Sequence, residues 1–340
     1  MDKFETVIIG GGPGGLSCAL TLAHKGRDVL LIEKEKSFCS KTCGGGVTPR
    51  FHKLGLDIEK FIDVKFKNQF VIMVQNQLET FNPEIRVDLI NRKKLGDYLK
   101  NKAQKYGARI KPNTNVISIK KDYIVTSNGK RIGYKYLVGA DGSSSIVRRY
   151  AGLGTRDFII LVQYKIQKKF KKLEWCFDAR KFDAGYGWIF PHSKFTSIGT
   201  GNLKSRMSGK EIRIKLDRWV SELGLNPKKL KPESATVNAD YRGYKFGNIF
   251  LVGDAAGFTP PLTCEGMYPA IVSGREVAKM IINPKHSQLK IKKLVEKRTK
   301  QQKLLDNLNR FSFLRNFIYN SLVKIYRIPF IKKKLIEIIA

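Results

Sequence analysis

Apolar and polar positions follow two periods along this chain, and the first thirty residues contain both. The run Val7, Ile8, Ile9 breaks into Gly10-Gly11-Gly12-Pro13-Gly14-Gly15 and continues as a helical segment over residues 16–25. A second apolar run, residues 29–32, closes on Glu33. That order reads as strand, glycine turn, helix, strand, acid. Further on, residues 66–73 and 77–81 read as strands of a different sheet, and 83–88 returns the chain to a helix over 91–106, with Leu95, Tyr98, Leu99 and Ala103 at helical spacing. Short strands are expected at 109–111, 115–120, 123–127 and 136–138, with Asn128-Gly129 as a hairpin turn. Residues 157–203 alternate apolar and aromatic positions as a sheet does, with Trp175, Phe177, Tyr186, Trp188 and Phe190 available for one face. A helix over 208–223 carries Ile212, Leu216, Trp219, Val220 and Leu223 on one stripe. A buried-type strand at 248–252 leads to a helix over 264–282, and residues from 287 onward read as basic helices with a break at Pro329. The expected class is α/β, with a nucleotide lobe discontinuous in sequence.

The glycine turn has a specific chemistry. Gly10 suits the tight turn out of the strand, Gly12 lets the backbone approach a pyrophosphate, and Gly15 lets the helix lie close on the sheet. Phosphates would sit at the helix N-terminus, where unpaired N–H groups and the helix dipole favour negative charge. Glu33 follows Gly10 by 23 residues, where an acid accepts hydrogen bonds from a ribose hydroxyl. A dinucleotide site is expected here.

Composition narrows the setting. With 340 residues and 42% hydrophobic content the chain can bury a substantial core, and 64 Lys and Arg against 29 Asp and Glu give a formal charge of +35. Such a field draws a protein to anionic surfaces, or it is charge solvated over the whole exterior. No zinc spacing, aromatic RNA-binding signature or helix-turn-helix pattern accompanies it, so nucleic acid is not an expected partner. Five cysteines (Cys18, Cys39, Cys43, Cys176, Cys264) are sparse and odd in number, which fits a reducing cytosol. The first strand begins almost at Met1, so no signal peptide is expected, and no apolar run reaches the 18 or more residues of a membrane span. A cytoplasmic protein is expected, lying on the inner face of the membrane if it meets one. In the tail, Phe311, Leu314, Phe317, Ile318, Leu322 and Ile325 alternate with Arg310, Arg315, Lys324 and Arg327. Those helices either cap the core or press an amphipathic face into lipid.

Three strand-end loops recur: the glycine turn, Gly139-Ala140-Asp141-Gly142-Ser143, and Gly253-Asp254-Ala255-Ala256-Gly257. As an ordered set they resemble the flavin-dependent oxidoreductases of the aromatic hydroxylase fold. Two further motifs narrow the likeness. Lys41-Thr42-Cys43-Gly44-Gly45-Gly46 is similar to the Cys-Gly-Gly loop of geranylgeranyl reductases, and Tyr186-Gly187-Trp188-Ile189-Phe190-Pro191 matches their Tyr-x-Trp-x-Phe-Pro. Flavin halogenases carry Trp-x-Trp-x-Ile-Pro there. The resemblance covers roughly residues 4 to 282. It implies a Rossmann-type FAD-binding domain with an interleaved antiparallel-sheet substrate domain and a C-terminal helical segment. The implied division is 1–65, 91–155 and 245–285 for FAD, 66–90 and 156–244 for substrate, and 286–340 as a basic helical region.

By the same resemblance FAD is lined by Gly10, Gly12, Pro13, Gly14, Gly15, Glu33, Lys34, Gly44, Gly45, Gly46, Arg92, Val116, Asp141, Gly253, Asp254, Pro261, Gly266 and Met267. Asp254 is the implied ribityl contact, and the helix after Gly266 aims its N-terminus at the flavin's pyrimidine edge. Tyr186, Trp188, Phe190 and Pro191 are implied to face a prenyl substrate, and Cys43 to lie near the flavin ring as proton donor or steering group. Ordinary core packing would use the same aromatics, and a small turn residue would account for Cys43 equally well. Cys264 stands where the family usually has Gly, and the segment after residue 282 is shorter than in many members.

The activity implied is FAD-dependent reduction of carbon–carbon double bonds in a geranylgeranyl-type lipid, at an anionic membrane surface, with NAD(P)H or a ferredoxin as electron donor. No second dinucleotide fingerprint selects between those donors. A flavin monooxygenase of a hydrophobic substrate, and a non-catalytic flavin-binding membrane protein, share the same loops and stay open at this level.

Overall fold

The computed structural model describes residues 1–66, 70–74, 77–81 and 87–325. Its organising element is an eight-stranded sheet in the order Lys245–Phe246, Ile249–Leu251, Arg131–Gly139, Asp2–Ile9, Val29–Ile32, Arg109–Lys111, with Val116–Ile119 and Tyr123–Thr126 added as an antiparallel ribbon. The first strand, Asp2–Ile9, pairs in parallel with Arg131–Gly139 on one side and Val29–Ile32 on the other. Continuous apolar runs suit this position because both faces are covered. Val7, Ile8, Leu30 and Leu31 are fully buried, and helices Pro13–Ala23, Arg92–Lys105 and Met267–Ile282 supply the cover. Register decides what the sheet presents. Ile9 lies beside Gly139, and Gly139 beside Leu251, so three strands end level and the three glycine-containing loops leave the same edge.

A second, seven-stranded sheet runs Pro232–Asn238, Phe158–Ile166, Thr196–Leu203, Gly187–Pro191, Leu173–Phe177, Phe70–Val74, Gln77–Phe81. The helix Gly209–Glu222 covers one face through Ile212, Leu216, Trp219 and Val220, which meet Val162, Tyr164, Phe182 and Ile198. Its start is set by Ser208, whose side chain and that of Glu211 form a reciprocal capping box. The opposite face carries Trp188 and Phe190, packed with Leu161, Trp175 and Tyr186. Between the large sheets lies a three-stranded one, Gly46–Val47, Val87–Ile90 and Ile62–Phe66.

Local differences from the sequence reading have physical causes. Phe66 ends a strand of the small sheet, and the next described strand is Phe70–Val74 in the second sheet. Asp88 belongs to the buried strand Val87–Ile90 and not to a connection; most of the expected connection at 83–88 lies outside the described residues. The helix expected from residue 264 begins at Met267, because Cys264 takes a left-handed backbone (φ 53°) that no α-helix contains.

Two helices, Leu289–Arg310 and Arg315–Ile325, follow. Leu305 and Leu308 are buried, and Leu308 and Tyr319 pack with Phe177, Leu262 and Ile318. Arg315 is buried too, its guanidinium on Asp183 and on the Leu308 carbonyl. These contacts cap the core. Phe313 is nevertheless 81% exposed and Phe317 69% exposed, with Phe311 and Leu314 beside them. Pro329 and Arg327 lie outside the described residues, as do the side chains of Leu322, Lys324 and Ile325.

Arg148 locks the loop edge together. It is 1% exposed. Its guanidinium donates to the carbonyls of Ala255 (3.3 Å), Gly154 (3.4 Å) and Asp240 (2.8 Å), and to the Asp240 carboxylate (3.2 Å). Asp240 keeps Arg242 as a second partner, so what a truncation of Arg148 removes is the donors to the three carbonyls, at about 1–3 kcal/mol for each acceptor left unpaired and about 3 kcal/mol or more together. Arg148→Ala is therefore expected to lower unfolding stability by about that amount in a urea titration.

Candidate active site

The level strand ends create the first part of the site. Gly10 sits at φ 108°, and a Cβ there would collide with the Ala140 carbonyl, so the turn that brings the first two loops together requires glycine. At Gly12 a Cβ would meet nothing within 4 Å: the loop opens onto free space at the N-terminus of helix Pro13–Ala23. No side chain caps that end, which leaves a positive dipole terminus for an anion. Glu33 accepts from the backbone N–H groups of Gly11 and Glu35 (2.9 Å to the latter), holding the loop against the second strand. Lys34 is exposed.

Asp254 lies across the opening. It accepts from Lys41 Nζ (2.5 Å) and from Thr259 Oγ1 (2.6 Å). Burial works to raise its pKa, but the Lys41 charge and hydrogen bond, the Thr259 hydroxyl and Arg92 outweigh it, so the carboxyl is held below its usual range. Ser143, from the middle loop, donates to the Thr236 carbonyl (2.6 Å) and accepts from the Asn238 N–H (3.1 Å), tying the loop edge to the second sheet. Asp141, two residues earlier, is spent differently. Its Oδ2 accepts from the N–H groups of Ile146 and Val147 at the start of helix Ile146–Tyr150. Gly253 and Gly266 flank Asp254 and the start of helix Met267–Ile282, and Val116 is buried in the core of the first sheet.

The Cys43-Gly44-Gly45-Gly46 loop approaches from the other side. Cys43 is half-buried, with its sulfur 3.4 Å from the Gly45 N–H and its side chain against Arg92. Arg92, the first residue of its helix, also donates from Nε to the Cys39 carbonyl (3.2 Å). Phe190 and Trp188 back the loop: a Cβ on Gly44 would stand 2.9 Å from the Phe190 ring and 3.2 Å from Trp188 Nε1. Tyr186 donates its hydroxyl to the Thr263 carbonyl (2.8 Å).

A small cavity of about 30 Å³ opens beside these rings, walled by Leu161, Tyr186, Trp188, Leu262, Cys264 and Leu305, with Pro261 also on it. Phe190 is absent from its lining and Pro191 is buried at the strand end. Burial pushes the Cys264 thiol up to about 12 and the Tyr186 phenol well above its ordinary value, so both wall groups stay neutral at physiological pH.

The residues present fit FAD: an open glycine turn at a helix N-terminus for the pyrophosphate, a carboxylate between that turn and a second helix start, and a half-buried loop leading to an apolar cavity. Lys41 and Thr259 on Asp254 were not among the residues singled out from sequence. Lys41 lies inside the quoted motif, so its position was visible while its partner was not. Glu265, which accepts from Thr48 Oγ1 (2.7 Å), and His192 were missed as well.

Comparison with known proteins agrees with this geometry. The FAD binding domain family matches residues 3–288. An uncharacterized protein of Methanosarcina barkeri is 30% identical, over 95% of this chain and 85% of its own. The chloroplastic geranylgeranyl diphosphate reductase of Arabidopsis thaliana is 27% identical over 82% of this chain; the match spans 66% of that protein's length. Among solved structures, a geranylgeranyl bacteriochlorophyll reductase-like protein from Thermoplasma acidophilum superposes with a TM-score of 0.71 at 24% identity, covering 95% of this chain and 88% of that one, which speaks for the fold.

Cys264 joins two of these observations, since a non-glycine residue at φ 53° costs about 1–2 kcal/mol. Cys264→Gly relieves that strain while loosening the unfolded chain. Chemical denaturation should find it neutral or stabilising by up to about 1 kcal/mol, where removal of a partly buried side chain ordinarily destabilises.

Proposed function

The chain belongs to the FAD binding domain family as a geranylgeranyl reductase-like, FAD-dependent oxidoreductase, and on that premise we propose that it reduces carbon–carbon double bonds of a prenyl lipid of geranylgeranyl type. The observation that carries this reading is the seating of the Cys43 loop directly on Trp188 and Phe190, beside an apolar cavity. A long hydrocarbon needs such a wall, and an acid beside it is what an alkene reduction demands.

An isolated alkene is unactivated, so reduction adds a hydride at one carbon and a proton at the other. Reduced FAD supplies the hydride when bound. In our assignment Gly10, Gly12 and the helix start at Pro13–Gly15 hold its pyrophosphate, Glu33 its ribose, Asp254 its ribityl chain, and Gly266 and Met267 its pyrimidine edge. Residues 1–65, 91–155 and 245–285 form this cofactor unit, 66–90 and 156–244 the substrate unit. Tyr186 and Trp188 orient the prenyl chain and exclude water. Cys43, beside the Arg92 guanidinium, delivers the proton from its sulfur, and solvent then returns one to it. Cys264 and Tyr186 are poorer donors because burial holds their protons.

A lipid substrate also gives the basic surface a use. Among the described residues no helix is long and apolar enough to cross a membrane. Phe313 and Phe317 stand out from the helices that pack against the cavity wall at Leu262, with Arg310 next to them and a +35 charge behind. We assign this aromatic patch to peripheral attachment at an anionic cytoplasmic leaflet. The electrons for bound FAD would come from a ferredoxin or NAD(P)H.

Purified protein should be yellow, and with reductant it should add two hydrogens per double bond to a geranylgeranyl lipid, read by mass spectrometry. No mass gain across a panel of prenyl substrates would reject the reading, and substrate-dependent oxygen uptake would point to a monooxygenase instead. Cys43→Ala should keep FAD yet lose about 100-fold or more in turnover; undiminished turnover would remove the acid role. Replacing Phe313 and Phe317 together by Ser should weaken sedimentation with anionic vesicles about 100-fold or more, each ring being worth about 1.5–3 kcal/mol of burial.

A further inference from the structure

His192 follows directly on the strand Gly187–Pro191 and takes no part in the chemistry above. It is buried, with its ring stacked on Phe195 at 4.5 Å between centroids and 22° between planes. Its Nε2 lies 2.8 Å from the Gly44 carbonyl oxygen, and its Nδ1 lies 2.7 Å from Oδ2 of Asp63 in the strand Ile62–Phe66. A carbonyl oxygen only accepts, so Nε2 donates to Gly44. Asp63 is held in place by Ser193, through its backbone N–H (3.3 Å) and its hydroxyl.

What this ring touches is the residue next to Cys43. Three glycines in a row give the backbone wide freedom and no side chain to anchor it. Gly45 is at φ 83°; its N–H reaches the Cys43 sulfur, and its carbonyl accepts from the Ile90 N–H at 3.0 Å. A Cβ on Gly45 would stand 2.9 Å from the His192 ring. The aromatic rings behind the loop set how far it can retreat, but apolar contact does not fix a peptide plane. A hydrogen bond to the Gly44 carbonyl does.

We propose that His192, oriented by Asp63, is a positioning residue that fixes the Gly44 peptide and so sets the aim of the Cys43 sulfur, which lies on the Gly45 N–H beside Arg92. The functional weight of that aim rests on the reading of Cys43 given above. The pin itself is a statement about loop geometry and can be tested apart from turnover.

The test uses FAD-loaded enzyme and iodoacetamide, with labelled peptides read by mass spectrometry. Buried Cys18 and Cys176 serve as internal reporters of general unfolding. His192→Ala should change the labelling rate of Cys43 about tenfold, the equivalent of one buried hydrogen bond, while Cys18 and Cys176 stay unlabelled. His192→Gln, whose amide can still donate to Gly44, should restore most of the native rate, and Asp63→Asn should fall between. In turnover, His192→Ala should lower kcat with KM nearly unchanged. An unchanged Cys43 rate in His192→Ala, equal behaviour of the Ala and Gln variants, or parallel labelling of all cysteines would each overturn the proposal. A turnover-competent Cys43→Ser enzyme would instead dismiss the acid role, and the labelling experiment would still decide the pin.

Discussion

The alignment of Ile9, Gly139 and Leu251 across three parallel strands is the constraint on which the rest of the structure depends. Parallel strands end on the same side of a sheet, and ending them level puts three loops from positions 10, 140 and 253 within reach of one ligand. One slip in register would separate the glycine turn from Asp254 and leave two incomplete sites. The fully buried runs on both faces make such a slip expensive, because each register is tied to a two-sided apolar environment. Arg148 reinforces the arrangement from behind by bonding Ala255, Gly154 and Asp240 at once.

Against this fixed edge the second sheet contributes surface. On the face away from its helix, Trp188 and Phe190 back the Cys43 loop and Tyr186 and Trp188 wall the cavity, and Ser143 ties the two sheets together through Thr236 and Asn238. Three carboxylates at the junction have polar partners: Lys41 on Asp254, Thr48 on Glu265, and His192 on Asp63. An apolar cavity next to a charged cofactor edge is stable only when such pairs keep the carboxylates from facing hydrocarbon alone.

Much of this was legible in the residues. The first strand, the glycine turn and the acid after the second strand could be read because each is a local pattern whose meaning lies within about thirty residues. Ser208 and Asn91 begin their helices as N-caps at the expected places. Other readings ran into competition between roles. Asp141 sits in a cofactor-type loop yet caps helix Ile146–Tyr150, since a carboxylate near free N–H groups serves either purpose. Tyr186 and Trp188 wall the cavity while Phe190, of the same parity, sits behind the glycine loop, because Gly44 and Gly46 leave room for its ring. Cys264 delays its helix through one left-handed backbone angle that no propensity scale foresees. The tail's buried positions, Leu305 and Leu308, were unremarkable in a basic sequence and became core only against Phe177 and Leu262.

The sequence by itself determined the α/β class and the glycine turn with its helix and acid, because strand period, helix period and glycine spacing act between near neighbours; that the three loops mark a flavoprotein followed from their likeness to a family. Tertiary structure alone decided which loops share an edge, which aromatics see the cavity, and which polar groups meet: Lys41 with Asp254, and His192 with Asp63 and Gly44. Those pairs are separated by more than a hundred residues. Hydrogen bonds depend on positions to a few tenths of an ångström, and only the packing of two sheets against each other sets distances on that scale.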